Sequence, residues 1–343
     1  MKSRNANTDK KKYIVTGGNG FIGSHMCREL VEQGHQVLVI DNFSTSKEED
    51  WHGFGELVNV DIGDFNKVKK VLKLFRPDGV YHFAGRAIIS ESENNPLLYY
   101  SENVSNGISL IKSCVESGVR KMIFSSTCAT FGQQATPVLE SNEQNPINTY
   151  GRSKLILEKV LYDLSVKGLM DTFVFRYFNA AGCSEDGLLG EYREVETRLI
   201  PNIFFSIYGK KNLFIYGDNF ETLDGTAVRD YIHVLDLVKA HSLGMQKLHT
   251  FKGWQSFNLG TGTGYSILEV ISMVEKITGK EVKYSLRDRR VGDPSFLVSS
   301  CSASLRAFGF SSKRSLKEIV IDVNNFFIKR LKNERVRYSH SSF

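Results

Sequence analysis

The sequence predicts an α/β protein: a parallel sheet with helices on both faces, plus a smaller mixed α/β C-terminal lobe. Three observations carry this. The first half alternates short β-branched apolar runs with longer amphipathic runs, the pattern of parallel strands joined by crossover helices. Runs such as Val37-Leu38-Val39-Ile40 are apolar at consecutive positions, as strands buried on both faces require. After residue 179 the regular alternation loosens.

Taken in order, strands are expected at 13–16, 36–40, 57–60, 79–83, 121–125 and 172–175, with helices over 21–33, 64–74, 96–117 and 149–167. From 180 to 228 the chain is rich in Gly, Glu, Asp and Asn, with short apolar pieces such as Leu213-Phe214-Ile215-Tyr216. Regular structure is expected again at 231–237, at 257–259 and in a helix near 266–278. The implied organisation is a flexible tail over 1–11 and a first domain over 12–179 with returning segments near 229–262. A second lobe follows over 180–228 and 263–330, then a C-terminal tail over 331–343.

Composition narrows the class. A hydrophobic content of 41% and a charged content of 24% over 343 residues suit an ordinary globular protein of about one and a half domains. No apolar run approaches the roughly 18 residues of a membrane span, and the polar N-terminus lacks the apolar core of a secretory signal. The five cysteines are scattered and form no C-x-x-C pair, which argues against a disulfide framework and a zinc site, and for a reducing cytoplasm. No metal is expected. A net charge of +6 suits anionic small molecules such as phosphate esters, and is too small and dispersed for nucleic acid.

The run Thr16-Gly17-Gly18-Asn19-Gly20-Phe21-Ile22-Gly23 follows the first strand and opens the first helix. Glycines there let the backbone turn tightly and approach a pyrophosphate, whose charge the helix N-terminus receives. The alternative is a purely structural Gly-rich turn; the strand before and helix after favour a Rossmann-type dinucleotide site. Asp41 ends the second strand, eighteen residues past Gly23. A carboxylate there accepts from ribose hydroxyls and repels a 2′-phosphate, which selects NAD over NADP. Its alternative role is a helix N-cap.

Tyr150 and Lys154 stand four residues apart, hence on one face if the run is helical. In isolation that spacing also describes a solvated helix face. Beside a nicotinamide it acquires chemistry: a phenol with an ordinary pKa of about 10 becomes a usable base when an ammonium favours its phenolate. Thr127 offers a hydroxyl to bridge Tyr150 and a substrate oxygen, or caps the next segment.

These runs, with Ser125-Ser126-Thr127, resemble the extended short-chain dehydrogenase/reductases. His82-Phe83-Ala84-Gly85, Arg176-Tyr177-Phe178-Asn179, the string from Asp224 to Val234 and Arg289-Arg290-Val291-Gly292-Asp293 are similar to the UDP-glucose 4-epimerases of that family. The resemblance spans about 12 to 328 and implies the following roles. Tyr150 takes the proton of the sugar 4-hydroxyl while C4 gives hydride to NAD; the 4-keto sugar turns over, and hydride and proton return. Thr127, Tyr150 and Lys154 are the catalytic residues. Cofactor contacts fall on Gly17, Gly20, Phe21, Ile22, Gly23, Asp41 and Asn42, with Asp61 and Ile62 flanking the adenine. Phe83, Ala84 and Gly85 lie under the pyrophosphate; Asn103 is a polar contact, Tyr177 stands near the nicotinamide, and Ser125 belongs with Tyr150 and Lys154. On the substrate side, Thr127 and Tyr150 meet the sugar. Asn179, Arg229 and Arg290 match phosphate contacts, Phe214 and Tyr216 the uracil segment, and Asp293 a ribose contact. Arg198, Leu199 and Leu297 complete the substrate set. Surface ion pairs remain the alternative for the arginines, and core packing for Phe214 and Tyr216. The resemblance also implies a homodimer.

Three local features discriminate among relatives. Dehydratases of the family carry an acid directly after the catalytic Ser or Thr; here stand Cys128-Ala129, which favours simple oxidation and reduction. Some members carry a cofactor-side lysine where this chain has Ala87, beside Arg86. Leu297 stands where a tyrosine restricts other members to unsubstituted hexoses, so a 2-acetamido sugar is expected to fit. The readings that stay open are a 4-epimerase for another UDP-sugar (N-acetylhexosamine, pentose or uronate) and a catalytically silent NAD-binding sensor. Retention of Thr127, Tyr150 and Lys154 together argues against the sensor.

Overall fold

The computed structural model describes residues 10–134, 137–193, 196–290 and 293–340. From the N-terminus the chain runs β1 (Lys12–Thr16), α1 (Phe21–Glu32), β2 (Gln36–Asp41), β3 (Glu56–Asn59), α2 (Phe65–Phe75) and β4 (Gly79–His82). Next come α3 (Ile89–Asn94), α4 (Pro96–Tyr99), a π-helical turn (Tyr100–Ser105), α5 (Asn106–Glu116), β5 (Lys121–Thr127), α6 (Thr149–Val166) and β6 (Asp171–Tyr177). The second half holds β7 (Asn179–Ala181), α7 (Leu199–Ile207), β8 (Leu213–Tyr216), β9 (Val228–His233), α8 (Val234–Leu248) and β10 (Trp254–Leu259). It ends with β11 (Gly264–Ser266), α9 (Ile267–Thr278), β12 (Tyr284–Arg287), β13 (Phe296–Leu297), α10 (Ser302–Phe308) and α11 (Leu316–His340).

The first compact unit comprises the chain up to Thr130 with Asn148–Phe175 and His241–Ser256. Its seven-stranded Rossmann-like sheet has the order β10-β6-β5-β4-β1-β2-β3. β1 lies between β2 and β4 in parallel register, Thr16 pairing with Ile40 on one side and His82 on the other. Strand order therefore reverses at β1, and the crevice at such a switch point is where open α/β sheets bind ligands. The glycine turn leaves β1 there. The sheet is apolar on both faces: Ile14, Leu38, Ile40, Val80 and Phe124 are buried on one, and Val15, Val39, Tyr81 and Ile123 on the other. Burying a side chain of this size contributes about 1.5–3 kcal/mol.

The helix expected over 96–117 forms, with a π turn inside it. Its middle is the π-helical turn, which carries Asn103 into the interior. Three bonds hold it there: the Asn103 Oδ1 accepts from the Arg86 backbone N–H at 2.8 Å, and its Nδ2 donates to Ser153 Oγ at 3.0 Å and to Arg86 O at 3.1 Å. A buried amide that satisfies both ends outweighs one register of α-helical bonding, and π turns of this kind recur at functional sites.

The second unit comprises Phe131–Ile147, Arg176–Ala240 and the chain from Phe257 onward, and nearly equals the first in length rather than being a smaller lobe. The boundaries also differ from the expected 12–179 and 229–262. β9 is the centre of a separate sheet: its first half lies between β11 and β13, and its second half pairs with β7. Residues 131–147 join this unit because Val138 exchanges backbone bonds with Val298 and Ser300 and accepts from the Asn258 side chain. The expected tail over 331–343 is helical as far as His340, because α11 buries Ile319, Val320, Val323, Phe326 and Phe327 at helical spacing. Most of the N-terminal tail, the last three residues, and Val291 and Gly292 lie outside the described residues. Among the described residues no helix is long and apolar enough to cross a membrane, and no disulfide joins the five cysteines.

The Asp224–Val234 string is largely the architecture of this second unit. Asp224 accepts from Thr226 and Ser266, at the cap of α9. Fully buried Asp230 accepts from the Thr261, Gly262 and Ser299 backbones and from the Thr261 and Ser299 hydroxyls. His233 bonds Asp322 of α11 at 3.0 Å. Replacing Asp230 by Asn turns one acceptor oxygen into a donor facing donors, and Asp230→Asn is expected to destabilise the protein by about 3 kcal/mol. Urea unfolding measures this; a midpoint equal to that of the parent would remove Asp230 as the hub of the loops.

Candidate active site

The glycine turn is built by close approaches. Gly17 donates to Ile40 O at 2.9 Å and has φ +69°, and a Cβ there would lie 2.6 Å from the Ala84 nitrogen. Gly20 donates back to Gly17 O at 3.1 Å, and a Cβ on Gly23 would stand 2.1 Å from that same oxygen. α1 then begins at Phe21 with no side-chain cap and no acid in its first turn, so its positive end is open to an anion. Phe21 packs edge-on against His25, and Ile22 is half-buried. At the end of β2 the Asp41 carboxylate is fixed by the Asn19 and Phe43 N–H groups, both at 2.9 Å. Asn42 donates to Asp61 at 2.7 Å, and Asp61 also accepts from Gly63; Ile62 beside it is buried. This cradle, uncapped helix end and oriented carboxylate fit a dinucleotide with two free ribose hydroxyls.

Beneath the turn, Thr16 Oγ1 and His82 Nδ1 lie 2.8 Å apart, and the Phe83 and Ala84 N–H groups donate to Thr16. Burial, and then the charge of Lys154, push the His82 imidazole down to about 3. It is therefore neutral at physiological pH.

Tyr150 sits in the first turn of α6, whose start is unusually well tied. Gly151 N–H donates to the N-cap Asn148 Oδ1 at 2.8 Å, Thr149 N–H to Glu93 at 2.7 Å and Tyr150 N–H to Ser92 Oγ at 3.2 Å. The helix ends where α3 supplies acceptors, so the register of Tyr150 is set by three bonds. Its ring stands edge-on to Tyr99. One turn on, Lys154 is 4% exposed; its Nζ donates to Ser125 O at 2.9 Å and lies over the Phe124 ring. Burial lowers this ammonium to about 8, with the charge of Glu158 acting against the shift. Thr127 ends β5 almost fully buried, its Oγ1 accepting from Ala129 N–H at 3.1 Å. Cys128 is buried. A Cβ on Gly85 would stand 3.0 Å from Asn103 Oδ1 and 3.5 Å from Lys154 Nζ, so the chain leaving β4 passes close to α6.

Arg86 does not stand in for the family lysine at Ala87. Its guanidinium forks onto Glu102 at 2.8 and 3.2 Å and reaches Glu91 at 3.2 Å, so its charge is already neutralised. Asn103, expected as a polar cofactor contact, has both ends of its amide bonded to Arg86 and Ser153.

In the second unit, Tyr177 is the buried last residue of β6, and Asn179 pairs with Tyr231 across β7 and β9. Phe214 and Tyr216 are not core: Leu213 and Ile215, alternating with them on β8, take the buried face. The two outward rings carry Arg287 at 4.6 Å and Arg290 at 4.0 Å from their centroids. Arg229 pairs with Asp293 and donates to Val228 O, while Leu297 lies beside Arg229 in the β13–β9 register. Arg198, the residue before Leu199 at the start of α7, pairs with Glu191 at 3.1 Å.

Comparison with known proteins decides the family. Residues 13–260 match the model of the NAD dependent epimerase/dehydratase family. The chain belongs to that family. A UDP-glucose 4-epimerase of Lactobacillus helveticus is 39% identical over 312 residues, 90% of this chain and 94% of that protein. The crystal structure of UDP-glucose 4-epimerase from Brucella ovis in complex with NAD is 39% identical with a TM-score of 0.89, covering 92% of this chain and 98% of that one. The UDP-Glc/GlcNAc 4-epimerase of Campylobacter jejuni is 38% identical with a TM-score of 0.80, covering 93% and 99%.

Within this epimerase/dehydratase, sequence reasoning overlooked the residues that hold others in place. Asn148 was legible as an Asn directly before a helix. Ser92 and Glu93 left no signal, since they meet α6 only through the fold. Lys154 itself carries a measurable cost. In the folded chain burial lowers it to about 8 from the ordinary lysine value of 10.5, so between those values the unfolded chain binds more protons. Stability therefore rises as pH climbs through that window, and the cost is fully present below about pH 8. Lys154→Met is expected to abolish the rise in thermal midpoint above pH 8. Calorimetry across pH 7–10 reads it; an unchanged pH dependence would show that the rise does not come from Lys154.

Proposed function

We propose that the chain interconverts UDP-glucose and UDP-galactose as a NAD-dependent 4-epimerase. The observation that carries this reading is the first unit's grouping of Tyr150, buried Lys154 and Thr127 on β5 and α6, beside the glycine turn and without an acid at 128–129. In it, Thr127 Oγ1 and the Tyr150 phenol hold the sugar 4-oxygen, and Tyr150 takes its proton. The charge of Lys154 favours the phenolate that receives it. The glycine turn and Asp41 would hold NAD, which would supply the acceptor and donor for the C4 hydride. Tyr150 then gives the proton back once the 4-keto sugar has turned its other face. Cys128 and Ala129 offer no carboxylic acid to expel a hydroxyl, so the cycle stops at epimerisation. Arg229, Arg290 and Asn179 of the second unit are assigned to the diphosphate, where a guanidinium fork matches the oxygens. The segment around Phe214 and Tyr216, with Asp293, is assigned to the uridine. A cytoplasmic location is read from scattered cysteines that form no disulfide, and a homodimer from resemblance to the family; light scattering reads the latter.

A second reading concerns the sugar. Leu297 leaves more room than a tyrosine, and the Campylobacter jejuni relative is named for both UDP-Glc and UDP-GlcNAc. Turnover of UDP-N-acetylglucosamine to its 4-epimer is expected in a steady-state assay, and no product at any concentration would restrict the enzyme to unsubstituted sugars. For the chemistry itself, Tyr150→Phe keeps ring and volume while removing the proton acceptor. At least ~100-fold loss of epimerisation is expected. A near-parental rate in that variant would take the proton transfer away from Tyr150.

A further inference from the structure

We propose that Glu158 is a positioning residue: a buried carboxylate one helical turn beyond Lys154, anchored by Ser126, that holds Lys154 in its protonated form. The proposal rests on reading Lys154 as the electrostatic partner of Tyr150.

Glu158 is 2% exposed in the middle of α6, on the face that also buries Lys154, Leu157 and Leu161. A carboxylate at that depth is costly unless hydrogen-bonded or paired. The Ser126 hydroxyl donates to Glu158 Oε1. Ser126 is central to three consecutive residues that β5 delivers to this helix. Ser125 offers its carbonyl to Lys154, Ser126 its hydroxyl to Glu158, and Thr127 stands at the strand end. Side chains alternate along a strand, so Ser126 reaches the opposite side from Ser125 and Thr127.

The electrostatics follow from this placement. Desolvation drives Lys154 toward its neutral form, and the Glu158 charge opposes that loss. From β4, His82 also acts on Lys154, but as an imidazole that burial keeps neutral. On α6 itself, Tyr150 is the group that Lys154 is to assist. Glu158 is therefore the anion that sustains the lysine charge among the described residues. A merely structural clip between α6 and β5 would use the same hydrogen bond but would not need the charge.

Glu158→Gln keeps the shape and an acceptor for Ser126 while removing the charge. The test is a titration of ¹³Cε-labelled lysine in the whole protein, with the Lys154 resonance assigned by Lys154→Met. A midpoint near 8 is expected for the parent, and about one pH unit lower for Glu158→Gln. Glu158→Asp should recover most of the shift. The alkaline limb of kcat is expected to move with the midpoint while KM stays within about twofold. An unmoved Lys154 midpoint in folded Glu158→Gln overturns the proposal. Should that variant not fold, ¹³C-carboxyl labelling of the parent decides: an ionised Glu158 at pH 7 supports it, a neutral one overturns it. The midpoint needs no turnover, so failure of the epimerase reading would appear separately, as a parent protein that titrates as described but yields no epimer.

Discussion

One buried ammonium organises the catalytic half of this protein. Lys154 gives up almost all of its hydration to donate to the Ser125 carbonyl and lie over Phe124. That arrangement is unfavourable to stability and persists because the surroundings over-determine it. α6 is fixed at its first turn by Asn148, Ser92 and Glu93, and in its middle by Ser126. With the helix held at two levels, Tyr150 and Lys154 have one register against β5, and Thr127 has a fixed relation to both. Desolvation also strengthens the field that the ammonium exerts on a neighbouring phenol.

The cofactor side obeys a steric constraint instead. The chain leaves β1 at the point where strand order reverses, and the glycine turn there is packed so closely that side chains at Gly17 or Gly23 would collide with backbone. Closeness of backbone to backbone opens the first turn of α1 to a phosphate charge, while Asp41 is oriented by two N–H groups of the same turn and its neighbour. His82, buried and neutral, links the turn to the strand that leads to Gly85 and so to Lys154.

Specific motifs do not always mark contacts. The string from Asp224 to Val234 is the longest of the runs that resemble the family, yet Asp224, Asp230 and His233 spend their polar groups on caps, loops and α11. A buried aspartate with five donors around it admits no substitute of similar shape, which makes such a string distinctive without any ligand. Arg229 pairs with Asp293, and Arg290 rests on Tyr216, so both guanidinium groups are oriented before any anion arrives.

The sequence by itself determined the parallel sheet, the glycine turn, the NAD-dependent family and the Tyr150–Lys154 spacing. Each of these is written in a short period or a fixed separation along the chain: consecutive apolar residues for doubly buried strands, glycines where backbone must approach backbone, four residues for one helix face. The tertiary structure alone decided what depends on partners far away in sequence. It set a π turn inside the helix over 96–117, because Asn103 finds the Arg86 backbone and Ser153 only in the folded unit. It committed Arg86 to Glu102 and Glu91, turned Phe214 and Tyr216 outward while Leu213 and Ile215 took the core, and carried α11 to His340. Local spacing encodes local geometry; satisfaction of buried polar groups and division of a core are settled by long-range contacts, and only the folded chain contains those.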